Sequence, residues 1–291
     1  MDSIQIFNFY YFFYIVLGIF ITWIIIKIVD QKSNELKRKF ILSLIIINFL
    51  IHFLKIFVYP YTLVEQVWTK VTFENISAST ILLFPFFYIT NNKTIKDYMI
   101  IIGLFAGIIP FLYPADAIST VFNGTINIGT RPAFMLENIR FYVAHYFMFL
   151  VSFLLLRYRI HTVSFKRAHK ISLIFVCILI LVFINELLVT LLGGSPVEHF
   201  LDPSKRNPSF IFGVKDGFDG LGKLFGILVP KFMETNHPLY GFTYFIPVLW
   251  LIIPIFVYGN LIVILFYLIV DYKNISDYLH QIKKQANKTQ T

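Results

Sequence analysis

The chain has 291 residues, 57% hydrophobic and only 14% charged, with a mean hydropathy of +0.73; soluble domains carry about 25% charged residues, so a water-soluble globule is excluded. Its apolar runs are continuous, which excludes the alternating strands of a membrane barrel. A net charge of +9 would suggest nucleic acid in a soluble protein, but the basic residues lie between apolar segments, and nucleic-acid binding is not expected.

What remains is an all-α, polytopic membrane protein, in which each helix needs about 20 apolar residues to cross a core of about 30 Å. Seven such segments occur in chain order, at 7–29, 40–58, 71–90, 98–114, 137–156, 171–192 and 242–270. Asp2 and the absence of a basic residue before the first segment are unlike a cleaved leader, so that segment reads as a true span. Pro60 follows the second segment, Pro114 ends the fourth, and Gly193-Gly194 follows the sixth. Gly103 and Gly107 in the fourth let a neighbouring helix approach closely. The sole cysteine, Cys177, sits among Ile and Val in the sixth and is expected to be buried and inert. Pro247 and Pro254 predict a tilted or kinked seventh.

The connections fix the expected orientation. One set holds Lys27, Lys32, Lys37, Arg38, Lys39, Lys93, Lys96, Arg157, Arg159, Lys166, Arg167, Lys170 and the tail lysines from Lys273 onward. The other holds Lys70, Arg131 and the basic residues of one long loop, which weighs less because long segments cross regardless of charge. The N-terminus is therefore expected outside and the C-terminus in the cytoplasm. Residues 1–270 form the seven-helix domain and 271–291 a basic cytoplasmic tail. The abundance of Phe, Ile, Lys and Asn hints at an AT-rich bacterial genome, and a bacterial plasma membrane is the expected location. The outer loops, 115–136 and 193–241, are too long for simple connectors and are rich in apolar residues. Phe210-Ile211-Phe212 and Leu224 to Val229 read as interfacial or re-entrant, or alternatively as a loop packed on its own protein. Asn123-Gly124-Thr125 matches a glycosylation acceptor.

Ionisable groups inside a span cost about 2.5–3.5 kcal/mol on insertion scales and usually face an interior or a cavity. Here they concentrate in the outer half. His52 lies about 9 Å below its outer end at 1.5 Å per residue, with Ser77 and Glu186 at similar depth, Glu74 shallower and His145 somewhat deeper. Asn48, His52 and Lys55 make one stripe of the second helix, Glu74 and Ser77 share a face of the third, and Asn138, Tyr142 and His145 share a face of the fifth. A shared interior pocket open to the outer face is expected. Lys55 or Arg140 would pair with Glu74, and His145 or His52 with Glu186. Glu137 reads as an interfacial carboxylate at a helix N-terminus. No phosphate-binding loop, zinc motif or nucleophile elbow occurs, and neither cofactor nor metal is expected.

Three stretches, in order, carry a family resemblance. They are Thr72-Phe73-Glu74-Asn75-Ile76-Ser77 followed by Phe84-Pro85; Tyr113-Pro114-Ala115-Asp116 followed by Arg140-Phe141 and His145; and Asn185 followed by Asn207-Pro208-Ser209-Phe210. Over about residues 40 to 270 the chain resembles the YwaF-like bacterial membrane proteins, a family that extends to animal transmembrane protein 164. The resemblance implies a seven-helix fold and acyl transfer between lipids by a cysteine and a histidine. His145 matches that histidine. The cysteine position is Ile76, and Glu74 stands where bacterial relatives have histidine. The expected function is that of a lipid acyltransferase-like protein acting on membrane lipids from the outer half of the bilayer. Its catalytic candidates are His145 as base, Ser77 as an oxygen nucleophile, and Glu74 and Glu186 as orienting carboxylates. Arg140, Lys55, His52 and Asn185 are the substrate-binding candidates. The competing reading is a membrane protein that binds or transports a lipid or small solute in the same pocket without chemistry.

Overall fold

The computed structural model describes residues 2–122, 126–214 and 219–289, so the Asn123-Gly124-Thr125 acceptor lies outside the described residues. Helix starts follow the capping chemistry of the sequence. Asn8, Ser33, Asn75 and Asn92 each turn a side-chain oxygen onto the first free N–H groups of α1 (Phe9–Val29), α2 (Asn34–Leu54), α3 (Ile76–Ile89) and α4 (Lys93–Leu112). The short α5 (Ala115–Ile118) and a hairpin of β1 (Val121–Phe122) with β2 (Ile126–Asn127) precede α6 (Leu136–Arg157). After α7 (Ile171–Leu191) comes a long segment with α8 (Asp219–Gly226) and a hairpin of β3 (Glu234–Asn236) with β4 (Thr243–Phe245). The last span is α9 (Leu249–Pro254) and α10 (Asn260–Val270), joined through a π-helical turn at Ile255–Gly259. The π-helical turn directly follows Pro254, one of the two prolines expected to tilt or kink this span. The amphipathic α11 (Tyr272–Thr289) closes the chain.

Among the described residues, six helices are long and apolar enough to cross a membrane: Phe9–Val29, Asn34–Phe57, Lys93–Ile118, Leu136–Arg157, Phe165–Leu191 and Leu249–Val270. The third expected segment is shorter, because α3 has only 14 residues and begins at Ile76. The preceding Val67–Val71 forms a 3-10 turn, and Asn75 caps α3 itself. Glu74 therefore precedes the helix and shares no helical face with Ser77. The seventh segment begins at Leu249 rather than Phe242, since Thr243–Phe245 pairs with Glu234–Asn236.

The tightest crossing is that of α4 and α6. A Cβ on Gly107 would lie 2.5 Å from Phe149 Cβ and 2.8 Å from the His145 carbonyl oxygen. Only glycine allows the approach, as the spacing predicts. Met99, Met148, Leu150 and Leu154 are fully buried in the same cluster. In the long loop, Ile211 and Phe212 are buried against Val176, Leu179, Val182 and Trp250. Trp250 Nε1 donates to the Ile211 carbonyl at 3.2 Å, so this part of the loop packs on its own protein rather than lying at an interface. Leu224 and Ile227 stay exposed. Cys177, expected to be buried, is exposed on the outward face of α7.

One end of the bundle is strapped by ionic contacts. Asp97 of α4 is fully buried and accepts from Arg167 Nε (2.7 Å), Arg167 Nη2 (2.9 Å) and the Tyr267 hydroxyl of α10 (2.9 Å), with His161 Nε2 at 2.5 Å. Asp30 takes Arg157 at 2.7 Å, and that guanidinium holds its carboxyl below the ordinary value.

Candidate functional site

At the opposite end, the stripe of α2 points inward: Asn48, His52 and Lys55 are all buried. Lys55 Nζ lies 3.0 Å from Glu74 Oε1, and Lys70 Nζ lies 3.0 Å from Glu74 Oε2. Glu74 is thus clamped between two ammonium groups, the first of which is the pairing expected from sequence. A carboxylate so placed offsets the desolvation of Lys55, whose side chain is only 5% exposed.

On α6, Arg140 is not the partner of Glu74. Its guanidinium grips Glu137 through two bonds of 2.6 Å and donates to the Tyr61 hydroxyl at 3.2 Å. Lys55 and Arg140 both lie over the Tyr61 ring, at 5.3 and 5.4 Å from its centroid, so this buried tyrosine bridges the two ion pairs. Glu137 stands in the first turn of α6, as expected of a carboxylate at a helix N-terminus, and it is buried.

His145, one turn and a half deeper on α6, has Nδ1 2.7 Å from the Ala106 carbonyl oxygen. A carbonyl can only accept, so Nδ1 carries the proton and Nε2 is the basic atom. The ring also meets Phe141 edge-on at 4.6 Å. No hydrogen bond joins Ser77 to His145 among the described residues; Ser77 is half-buried in the first turn of α3. The first N–H of that turn, from Ile76, donates to Ser209 Oγ of the long loop at 2.8 Å.

Glu186 of α7 does not meet either histidine. It is buried and takes a two-pronged contact from Arg206 of the long loop, Nη2 to Oε1 at 3.1 Å and Nε to Oε2 closer still. The histidines lose because a guanidinium fits a carboxylate in bidentate fashion. Several buried polar atoms at this end have no hydrogen-bond partner among the described residues: His52 Nε2, Asn138 Oδ1, the Tyr142 hydroxyl and Asn185 Nδ2. Two cavities stand out among the described residues, and both open at the other end, beside His161.

Lys70, Tyr61, Glu137 and Arg206 are site neighbours that sequence reasoning missed. Lys70 had a signal, since it precedes Glu74 by one helical turn in spacing. Arg206 had none, because nothing periodic in a long loop points a side chain inward.

A sequence model described as the TMEM164 family matches residues 3–197. The chain belongs to this family. No curated protein matches it, and no solved structure does. Together with the six long apolar helices, membership in the TMEM164 family makes this an integral, multi-pass membrane protein. The matched stretch contains every catalytic and binding candidate read from the sequence, His52 through Glu186, whereas Arg206 and Ser209 lie beyond it.

Proposed function

We propose that this TMEM164-family protein handles membrane phospholipid, as an acyltransferase-like protein, at the buried polar network around Glu74, Arg140 and His145. The observation that carries the reading is this network itself. Lys55, Lys70 and Arg140 are countered only in part by Glu74 and Glu137, and unpaired amides and hydroxyls accompany them. Membrane proteins keep ionisable groups at such depth chiefly where a substrate or ion passes. Arg140 and Lys55 suit a phosphate or a developing oxyanion. His145, with Nε2 basic, suits a general base, and a serine such as Ser77 would supply an oxygen nucleophile where the family's cysteine supplies a thiolate. The orientation that goes with this reading places the network near the outer leaflet.

A second reading, lipid binding without chemistry, is favoured by Ile76 standing at the family's cysteine position with its N–H already committed to Ser209. One experiment separates the two. Purified protein is incubated with a phospholipid carrying a labelled acyl chain and an unlabelled lyso-acceptor, and label transfer is followed. Transfer that falls by at least about 100-fold in His145→Ala, the range of general-base catalysis, supports acyl transfer. Lipid that co-purifies without any transfer supports binding alone, and His145→Ala with full transfer overturns the assignment of the base.

A further inference from the structure

The cations at the strapped end are mostly engaged. Lys39 pairs with Glu35, Arg157 with Asp30 and Arg167 with Asp97, while Lys37 and Lys166 sit over tyrosine rings. Arg38 and Lys96 are different. Neither has a carboxylate partner among the described residues, and the two charges lie close enough to oppose one another. Both line one cavity of about 220 Å³ between α2, α3, α4 and α6. Its floor is apolar, from Leu42, Met99 and Leu155, and Tyr88 forms part of its wall. The Tyr88 hydroxyl donates to the Arg38 carbonyl at 2.9 Å, which ties the end of α3 to the first turns of α2 and fixes where Arg38 leaves the backbone.

Two unneutralised cations held together over an apolar floor cost free energy unless an anion joins them. Lys96 rises from the first turn of α4, where the helix dipole also favours negative charge, and Arg38 from one residue beyond the first turn of α2. We propose that this cavity is a phosphate-binding site, taking the phosphate of a bilayer phospholipid between Arg38 and Lys96 with the glycerol end on Leu42. It is distinct from the network around Glu74 and stands whether or not that network is catalytic. Its position at the level of the helix starts, with an apolar floor continuous with the span, favours a lipid over a free phosphate compound.

The test compares the wild type, Arg38→Gln/Lys96→Gln and the charge-keeping Arg38→Lys/Lys96→Arg by native mass spectrometry in detergent. Dioleoyl phosphatidylglycerol, dioleoyl phosphatidylcholine or glycerol 3-phosphate is added. A basic residue at the bilayer surface contributes about 1 kcal/mol to anionic-lipid binding, so losing two predicts about thirtyfold weaker phosphatidylglycerol binding. The charge-keeping variant should bind as the wild type does, which separates the site from a folding defect. Loss confined to glycerol 3-phosphate would also support the site but assign it a soluble ligand. Equal binding of both phosphates by the Gln variant and the wild type would overturn the proposal.

Discussion

Glu74 serves two lysines at once, and its removal should be felt unequally on the two sides. In Glu74→Gln, Lys55 is left charged in a site where its side chain is 5% exposed. Breaking a buried pair this way costs about 3–5 kcal/mol, so the unfolding temperature in detergent should fall sharply. Lys70→Met removes one of two partners and leaves the Lys55 pair intact, so its cost should be clearly smaller than that of Glu74→Gln. An equal drop in both variants would mean that the clamp is not asymmetric. The Lys55–Glu74 contact was legible in the sequence, since opposite charges at matching depths in a low-dielectric interior have few other partners. The Glu186 contact was not. Two histidines stand at the right level, but an arginine from a distant loop offers two parallel donors and displaces them.

Among the helices, the α4–α6 contact depends on what is missing from a side chain. Gly107→Ala puts a methyl group against Phe149 and the His145 carbonyl, and overpacking of this kind costs about 1–3 kcal/mol. His145 would be pushed from the Ala106 carbonyl in the same movement, so any acyl transfer should fall along with thermal stability. A Gly107→Ala protein with unchanged unfolding temperature would show that the helices part without cost. The long spans were readable because about 20 apolar residues admit few alternatives. Helix starts were less so. An apolar, aromatic stretch such as Phe242 to Val248 reads as the beginning of a span, yet hydrogen bonding to Glu234–Asn236 makes it a strand. Likewise Val71 to Glu74 reads as helical by composition, but the Asn75 cap places the start at Ile76.

For the molecule as a whole, the two ends differ in kind. One is an aspartate-centred strap joining α4, the α6–α7 connection and α10; the other is the network of alternating charges around Glu74 and Arg140. The distribution of lysine and arginine predicts that the strapped end faces the cytoplasm. In a Cys177→Ser background, Lys273→Cys should react with a membrane-impermeant maleimide only after permeabilisation, and Asn236→Cys should react in intact cells. The reverse pattern would invert the protein.

The shortness of α3 has a consequence for the backbone that leads into it. Fourteen residues rise only about 21 Å, against a hydrocarbon slab of about 30 Å. A span here would need the irregular backbone between Tyr61 and Asn75 to make up the difference, and such backbone is tolerated in hydrocarbon only beside protein or water. In a crossing at this place, neighbouring helices or water would have to screen that backbone from the acyl chains.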